Sequence, residues 1–143
     1  MASGREHRST YEIHPIGRVE SPLVDLGSAP AQGDEGAPNA WLVLHDELGP
    51  AMRGLGVGQR VIVLTWLDRA DRTVLEVHPR GDTHRALEGV LSTRSPDRPN
   101  PIGLHEVEIV AVDGTRIEVR DLEAIDGTPI VDIKPWLGPV GER

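Results

Sequence analysis

An all-β fold, a small and mainly antiparallel β-barrel with at most one or two short helical turns, is predicted by three features of the chain. No stretch carries a long 3.6-residue hydrophobic period, short apolar-alternating runs recur instead, and turn signals separate them among 16 glycines and 12 prolines. The 143 residues suit one domain, and a chain of this size hides roughly 68–70% of its unfolded surface. Residues 1–10 are polar and are expected to be a loose segment, which leaves 11–143 as a single barrel domain.

The elements follow in order. Tyr11 to Val19 alternates in the manner of a half-buried strand. Ser21 to Asn39 is rich in proline and glycine and too poor in apolar residues for a simple turn; loops of that length more often carry function. Trp41 to His45 is a compact apolar run, and Asp46 to Leu55 leaves room for one or two helical turns before Pro50 and the glycines limit it. Gly54-Leu55-Gly56-Val57-Gly58 precedes the strand Arg60 to Leu67, whereas a dinucleotide-binding turn follows its strand and opens a helix, so a Rossmann site is excluded. Thr73–Val77, Leu87–Leu91 and Glu106–Val112 read as further strands. Asp113-Gly114 then joins the last of these to Arg116–Arg120 in a hairpin, because such a turn needs positive φ.

Composition narrows the function classes. With no cysteine there is no disulfide scaffold, thiolate zinc site or thiol nucleophile, and the cytoplasm is the expected location. The start, Met1 to Arg8, has no apolar run for a signal peptide, and no window approaches the ~20 apolar residues that span a bilayer, so no membrane partner is expected. A net charge of −8 argues against a broad phosphate-binding surface. The basic side chains are arginines except for Lys134, which favours a few planar, bidentate contacts. Arg80, Arg85, Arg94 and Arg98 fall close together, opposed by Asp82, Glu88 and Asp97, and form the stretch best suited to a polyanion. His78 and His84, six apart, match no metal-ligand spacing, and no metal is expected. Glu106 and Glu108 alternate on one strand face and read as solvated.

Two segments differ from ordinary loops. In Thr93-Arg94-Ser95-Pro96-Asp97-Arg98-Pro99-Asn100-Pro101-Ile102-Gly103-Leu104, three X-Pro pairs fix φ repeatedly and stiffen the backbone, so that Arg94, Arg98 and Asn100 are held in set directions. The plain alternative is a rigid connector whose arginines bind carbonyls. In Ala124-Ile125-Asp126-Gly127-Thr128-Pro129-Ile130-Val131-Asp132-Ile133-Lys134-Pro135-Trp136, Asp126-Gly127 is a turn signal, and Asp132 and Lys134 share a strand face where an ion pair is expected.

Together with the opening Ile16-Gly17-Arg18-Val19-Glu20-Ser21-Pro22, these segments resemble the TsaA-like, TrmO-type methyltransferase family over roughly Ile13 to Pro139. The resemblance implies a β-barrel that binds S-adenosylmethionine outside the Rossmann architecture, forms a homodimer, and methylates N6 of threonylcarbamoyladenosine next to the anticodon of tRNA. Carried over by position, the cofactor contacts are Ala31, Gln32, Gly33, Leu67, Asp68, Arg94, Leu104, Ile125, Asp126, Gly127 and Thr128. Arg80, Arg98, Asn100 and Lys134 are the expected substrate contacts.

Chemistry suits these residue types. Asp68 or Asp126 accepts from the ammonium or the ribose hydroxyls, Arg94 pairs with the carboxylate, and Leu67, Leu104 and Ile125 wall the adenine. Methyl transfer from a sulfonium is an in-line displacement governed by alignment. An amide-like N6 must also lose its proton, for which the candidates are His105, His78, Asp68 or water. His105 stands where the family more usually has serine, and an ordinary strand-start histidine facing solvent is the alternative reading. Leu67-Asp68 replaces an aromatic-histidine pair, and Trp136 replaces a tyrosine. These departures and the acidity keep two further functions in view: a methyltransferase of the same fold with a small-molecule acceptor, and a non-catalytic cofactor-binding module.

Overall fold

The computed structural model describes residues 9–25 and 36–139; expectations for 1–8, and for Ala31, Gln32 and Gly33, lie outside the described residues. Among the described residues eight strands follow in chain order: β1 (Gly17–Glu20), β2 (Ala40–Leu44), β3 (Arg60–Trp66), β4 (Glu76–Val77), β5 (Glu88–Gly89), β6 (Ile102–Asp113), β7 (Arg116–Val119) and β8 (Pro129–Pro135). Six of them close into an antiparallel ring in the order β1-β2-β7-β6-β3-β8, while β4 and β5 form a separate two-stranded excursion.

Period-two alternation sets which side chains fill the ring. Val61, Val63 and Thr65 of β3 point inward, as do Gly103, His105, Val107 and Ile109 of β6. Leu42, Ile117, Leu122 and Ile130 complete a core from which water is excluded. The β6–β7 connection is the expected hairpin, with Gly114 at φ 60° supplying the left-handed residue of the turn.

Helical structure among the described residues is confined to 3-10 stretches at Asp46–Met52, Pro79–Gly81 and Val90–Ser92. The first lies where the sequence leaves room for helical turns, and Met52 anchors it to the core. Four expected strands change their extent. Tyr11 to Pro15 is exposed and unpaired in the ring, Tyr11 at 86%, because its alternation meets no partner strand until Ile16 donates to the Ile130 carbonyl. Thr73–Val77 and Leu87–Leu91 contract to the two-residue ladder of β4 and β5, since only that much of each run finds a neighbour. Conversely, β6 begins four residues before Glu106, because the end of the proline-stiffened segment pairs with β3 through Trp66↔Ile102 and Leu64↔Leu104. No helix among the described residues is long and apolar enough to cross a membrane.

Candidate functional site

At one end of the ring, the chain leaving β3, the β4–β5 excursion, the proline-stiffened segment and the Glu123–Thr128 stretch surround a cavity of about 1140 Å³. The two motif segments, apart in sequence, therefore line one space. Leu67, Ile102, Leu104 and Ile125 give it apolar walls. Five arginines (69, 80, 85, 94 and 98) line it against the four acids Asp68, Glu88, Asp97 and Glu123. The local balance is thus basic in a chain whose total is −8.

The stiff segment owes its shape to side chains as well as prolines. Arg98 Nη1 donates to the Thr93 and Ser95 carbonyls at 2.9 and 3.0 Å, closing the loop on itself. Asp97 Oδ1 accepts from the Asp71 amide at 2.8 Å. Arg72, stacked over Trp66 at 5.2 Å, donates to the Pro99 carbonyl at 2.7 Å and to Asn100 Oδ1 at 2.9 Å. The Asp71 carboxyl is held below the ordinary aspartate range, first by the Thr73 hydroxyl and then by the Thr73 amide, both of which donate to it. Arg94, by contrast, is exposed on the lining, and no described residue pairs with it.

In the second segment Ile125 and Thr128 are buried on the lining, Thr128 Oγ1 donating to the Ile125 carbonyl at 2.7 Å. Asp126 and Gly127 lie off the lining. Asp126 Oδ1 accepts from the Ser21 amide at 3.0 Å, and the Asp126 and Gly127 amides donate to Leu23 and Val19 carbonyls, so this turn fastens the chain leaving β1. Lys134 is also remote. It lies opposite Ile62 on β8 with Nζ 3.6 Å from Asp132 Oδ2, the ion pair expected from their shared face. Asp68 is exposed on the lining, and Arg80, Arg98 and Asn100 line it as well.

His105 corrects one expectation. It is not a solvent-facing strand-start residue: β6 has already begun, and the alternation turns the ring inward, leaving 5% exposed. Its Nδ1 is 2.5 Å from Glu123 Oε1 and its Nε2 is 2.8 Å from Thr65 Oγ1. A carboxylate only accepts, so Nδ1 donates; in the neutral imidazole Nε2 then accepts the Thr65 hydroxyl proton. Gly103 makes this possible. A Cβ there would lie 2.3 Å from Thr65 Oγ1 and 2.8 Å from His105 Nε2. His78, on the excursion, points Nδ1 at the Arg85 carbonyl, 3.0 Å away.

Thr65, Glu123, Arg72 and Gly103 escape a reading of the sequence. A signal exists for two of them: Thr65 continues the inward face of Val61 and Val63, and Glu123 interrupts the apolar run Leu122-Ala124-Ile125. A polar side chain on an apolar face is the informative observation.

Residues 18–140 match the model of the tRNA-methyltransferase O N-terminal domain. A protein of Archaeoglobus fulgidus described as an S-adenosyl-L-methionine-binding protein is 42% identical over 124 residues, which are 87% of this chain and 88% of that one. A probable S-adenosyl-L-methionine-binding protein of Methanothermobacter thermautotrophicus is 44% identical over the same shares. The crystal structure of TrmO from Pseudomonas aeruginosa superimposes with a TM-score of 0.72 at 26% identity, covering 94% of this chain and 61% of that one. A further TrmO crystal structure gives a TM-score of 0.74 at 27% identity, over 94% and 63%. The chain spans about three fifths of the solved structures it matches.

Proposed function

The chain belongs to the tRNA-methyltransferase O N-terminal domain family, and from that membership we propose that it methylates N6 of threonylcarbamoyladenosine in tRNA, next to the anticodon, with S-adenosylmethionine as donor. The observation that carries this reading is the meeting of the two motif segments around one cavity.

The residues present fit such a cofactor. The space exceeds the ~300–1,000 Å³ usual for small-molecule sites, and it combines apolar walls with a few charged groups. Leu67, Leu104 and Ile125 hold the adenine, Arg94 pairs with the carboxylate, Asp68 accepts from the ammonium or ribose hydroxyls, and Thr128 fixes the Ile125 turn. Asp126 and Gly127 serve by fastening that turn to the chain leaving β1, and Ala31, Gln32 and Gly33 remain contacts expected from the sequence. When bound, the cofactor supplies an electrophilic methyl group. The protein's part is to align the acceptor nitrogen with it and to exclude water.

The arginines around the opening meet the acceptor's phosphates, Arg80 directly and Arg98 and Asn100 by shaping the loop that carries Arg94. The homodimer and the cytoplasmic setting belong to the same proposal. The acidic total of −8 favours one second reading, a small-molecule acceptor at the same cofactor site.

Removal of the gene should abolish methylated threonylcarbamoyladenosine in nucleoside mass spectra of bulk tRNA; unchanged spectra reject the tRNA assignment. Arg94→Ala should weaken cofactor binding in calorimetry by about 1.5–3 kcal/mol with the circular dichroism unchanged, the scale of a charged hydrogen bond. Wild-type affinity in that variant removes Arg94 from the site. Light scattering should report a dimer at micromolar concentration.

A further inference from the structure

We propose that Glu123 is the proton acceptor of the transfer, with His105 and Thr65 as the positioning residues that hold it; the assignment rests on the reading of the cavity as a methyltransferase site. Glu123 immediately precedes Ala124-Ile125, and His105 immediately follows Leu104. The pair therefore joins the two segments proposed to wall the cofactor, and both residues line the cavity.

With Glu123 as the carboxylate and His105 as the neutral imidazole, the hydrogen bonds place the protons. Glu123 Oε1 is occupied by His105 Nδ1–H, and His105 Nε2 by the Thr65 hydroxyl. Glu123 Oε2 makes no hydrogen bond among the described residues, and the side chain is 17% exposed. One carboxylate oxygen is thus tethered while the other has no partner among the described residues, on a residue that lines the cavity. His105 itself has no free ring nitrogen to offer a substrate.

A purely structural role does not account for this arrangement. The inward positions around it are filled by valine, isoleucine and leucine, and an apolar residue at 105 would pack without the cost of desolvating an imidazole and a carboxylate. Residue 103 must moreover stay without a side chain to leave room for the Thr65–His105 bond. The rival candidates are held less firmly. Asp68 is exposed with no described partner, and His78 stands on the excursion, tied to the Arg85 carbonyl.

The step balances as follows. The acceptor nitrogen forms its bond to the methyl carbon as the carbon–sulfur bond breaks, with that electron pair going to sulfur. The N–H bond gives its pair to nitrogen and its proton to Glu123 Oε2. A sulfonium cation and a carboxylate anion are both neutralised, so the buried site gains no net charge. The protonated Glu123 returns its proton to water once products leave.

Glu123→Gln preserves shape and the Oε1 acceptor for His105. With S-adenosylmethionine and bulk tRNA as probes, kcat should fall roughly 10²–10⁴-fold, the range of general-base catalysis, while the cofactor Kd stays within about twofold by calorimetry, a margin small beside that range. Glu123→Asp should recover part of the rate, and added formate should recover part in Glu123→Ala, which a structural role would not allow. Thr65→Val should lower kcat about 2–10-fold at constant KM, the equivalent of one neutral hydrogen bond. Wild-type kcat in Glu123→Gln overturns the proposal, and so does a loss confined to cofactor affinity. Carbon-13 spectra of wild-type protein with S-adenosylhomocysteine give a readout without any acceptor: Glu123 must be a carboxylate at neutral pH, and a protonated carboxyl overturns the assignment. Failure of the wild type to bind S-adenosylmethionine sinks the methyltransferase reading instead, and is told apart by the same calorimetry.

Discussion

At the closed end of the ring Val61 of β3 faces Val107 of β6, with Ile109 beyond; four positions along the same two strands Thr65 faces Gly103, with His105 between. The first set is hydrocarbon throughout, and each side chain there contributes on the order of 1.5–3 kcal/mol by leaving water. The second set holds Thr65 and His105, two of the three buried polar residues described, and the third, Thr128, lies just before β8 near the same end. Strand, register and neighbours are shared, so the change of residue type marks where the ring stops being a core and becomes the wall of a site. Polar groups there are tolerated because each is paired, which leaves their geometry fixed.

This contrast can be broken by substitution. Ile109→Ala, at the hydrocarbon end, should lower unfolding stability by about 2–5 kcal/mol in urea titration, with cofactor affinity unchanged in the folded fraction. Gly103→Ala, at the polar end, should lose less stability, about 1–3 kcal/mol, from the forced displacement of Thr65 and His105. It should also lose turnover. A larger stability loss for Gly103→Ala than for Ile109→Ala would mean that the polar end is the structural keystone and would erase the distinction.

Milder changes sharpen it. Arg72→Ala removes the stack on Trp66 and two hydrogen bonds to the proline-stiffened segment. A stability loss near 1 kcal/mol is expected, the scale of an exposed cation–π contact, together with faster exchange of the Ile102 amide, which donates to the Asn100 carbonyl. The smallest effect concerns Asp71. Its folded carboxyl titrates below the ordinary aspartate range, so its bonds to Thr73 are fully present above that range and are lost as pH falls through the lowered folded value. The Thr73 amide resonance should move only in that acidic window, with the core amides still protected.

Much of the ring was legible because alternation and pairing agree. Arg60–Leu67 and Glu106–Val112 carry the inward apolar face that their shared ladder requires, and Asp113-Gly114 fixes their neighbour's turn. Alternation alone misleads at Tyr11–Pro15 and Thr73–Leu75, where the pattern is present but little or no edge is available to pair with. The convergence of the two motif segments followed from resemblance, and most of the expected lining residues sit together. Asp126, Gly127 and Lys134 lie off the lining because the turn and the far reach of β8 face other parts of the chain. The Thr65–His105–Glu123 chain was not legible, since Thr65 and Glu123 are 40 and 18 positions from His105 and meet it only once β3, β6 and the stretch after β7 are folded together.

The three tryptophans of the chain each lie beneath a guanidinium: Trp41 under Arg116, Trp66 under Arg72 and Trp136 under Arg60. None belongs to the sealed core. Intrinsic fluorescence of this molecule is consequently an optical report on its outer surface. Because Arg72 also grips Pro99 and Asn100, the Trp66 component gives a label-free signal for whether these contacts to the segment bordering the cavity are in place.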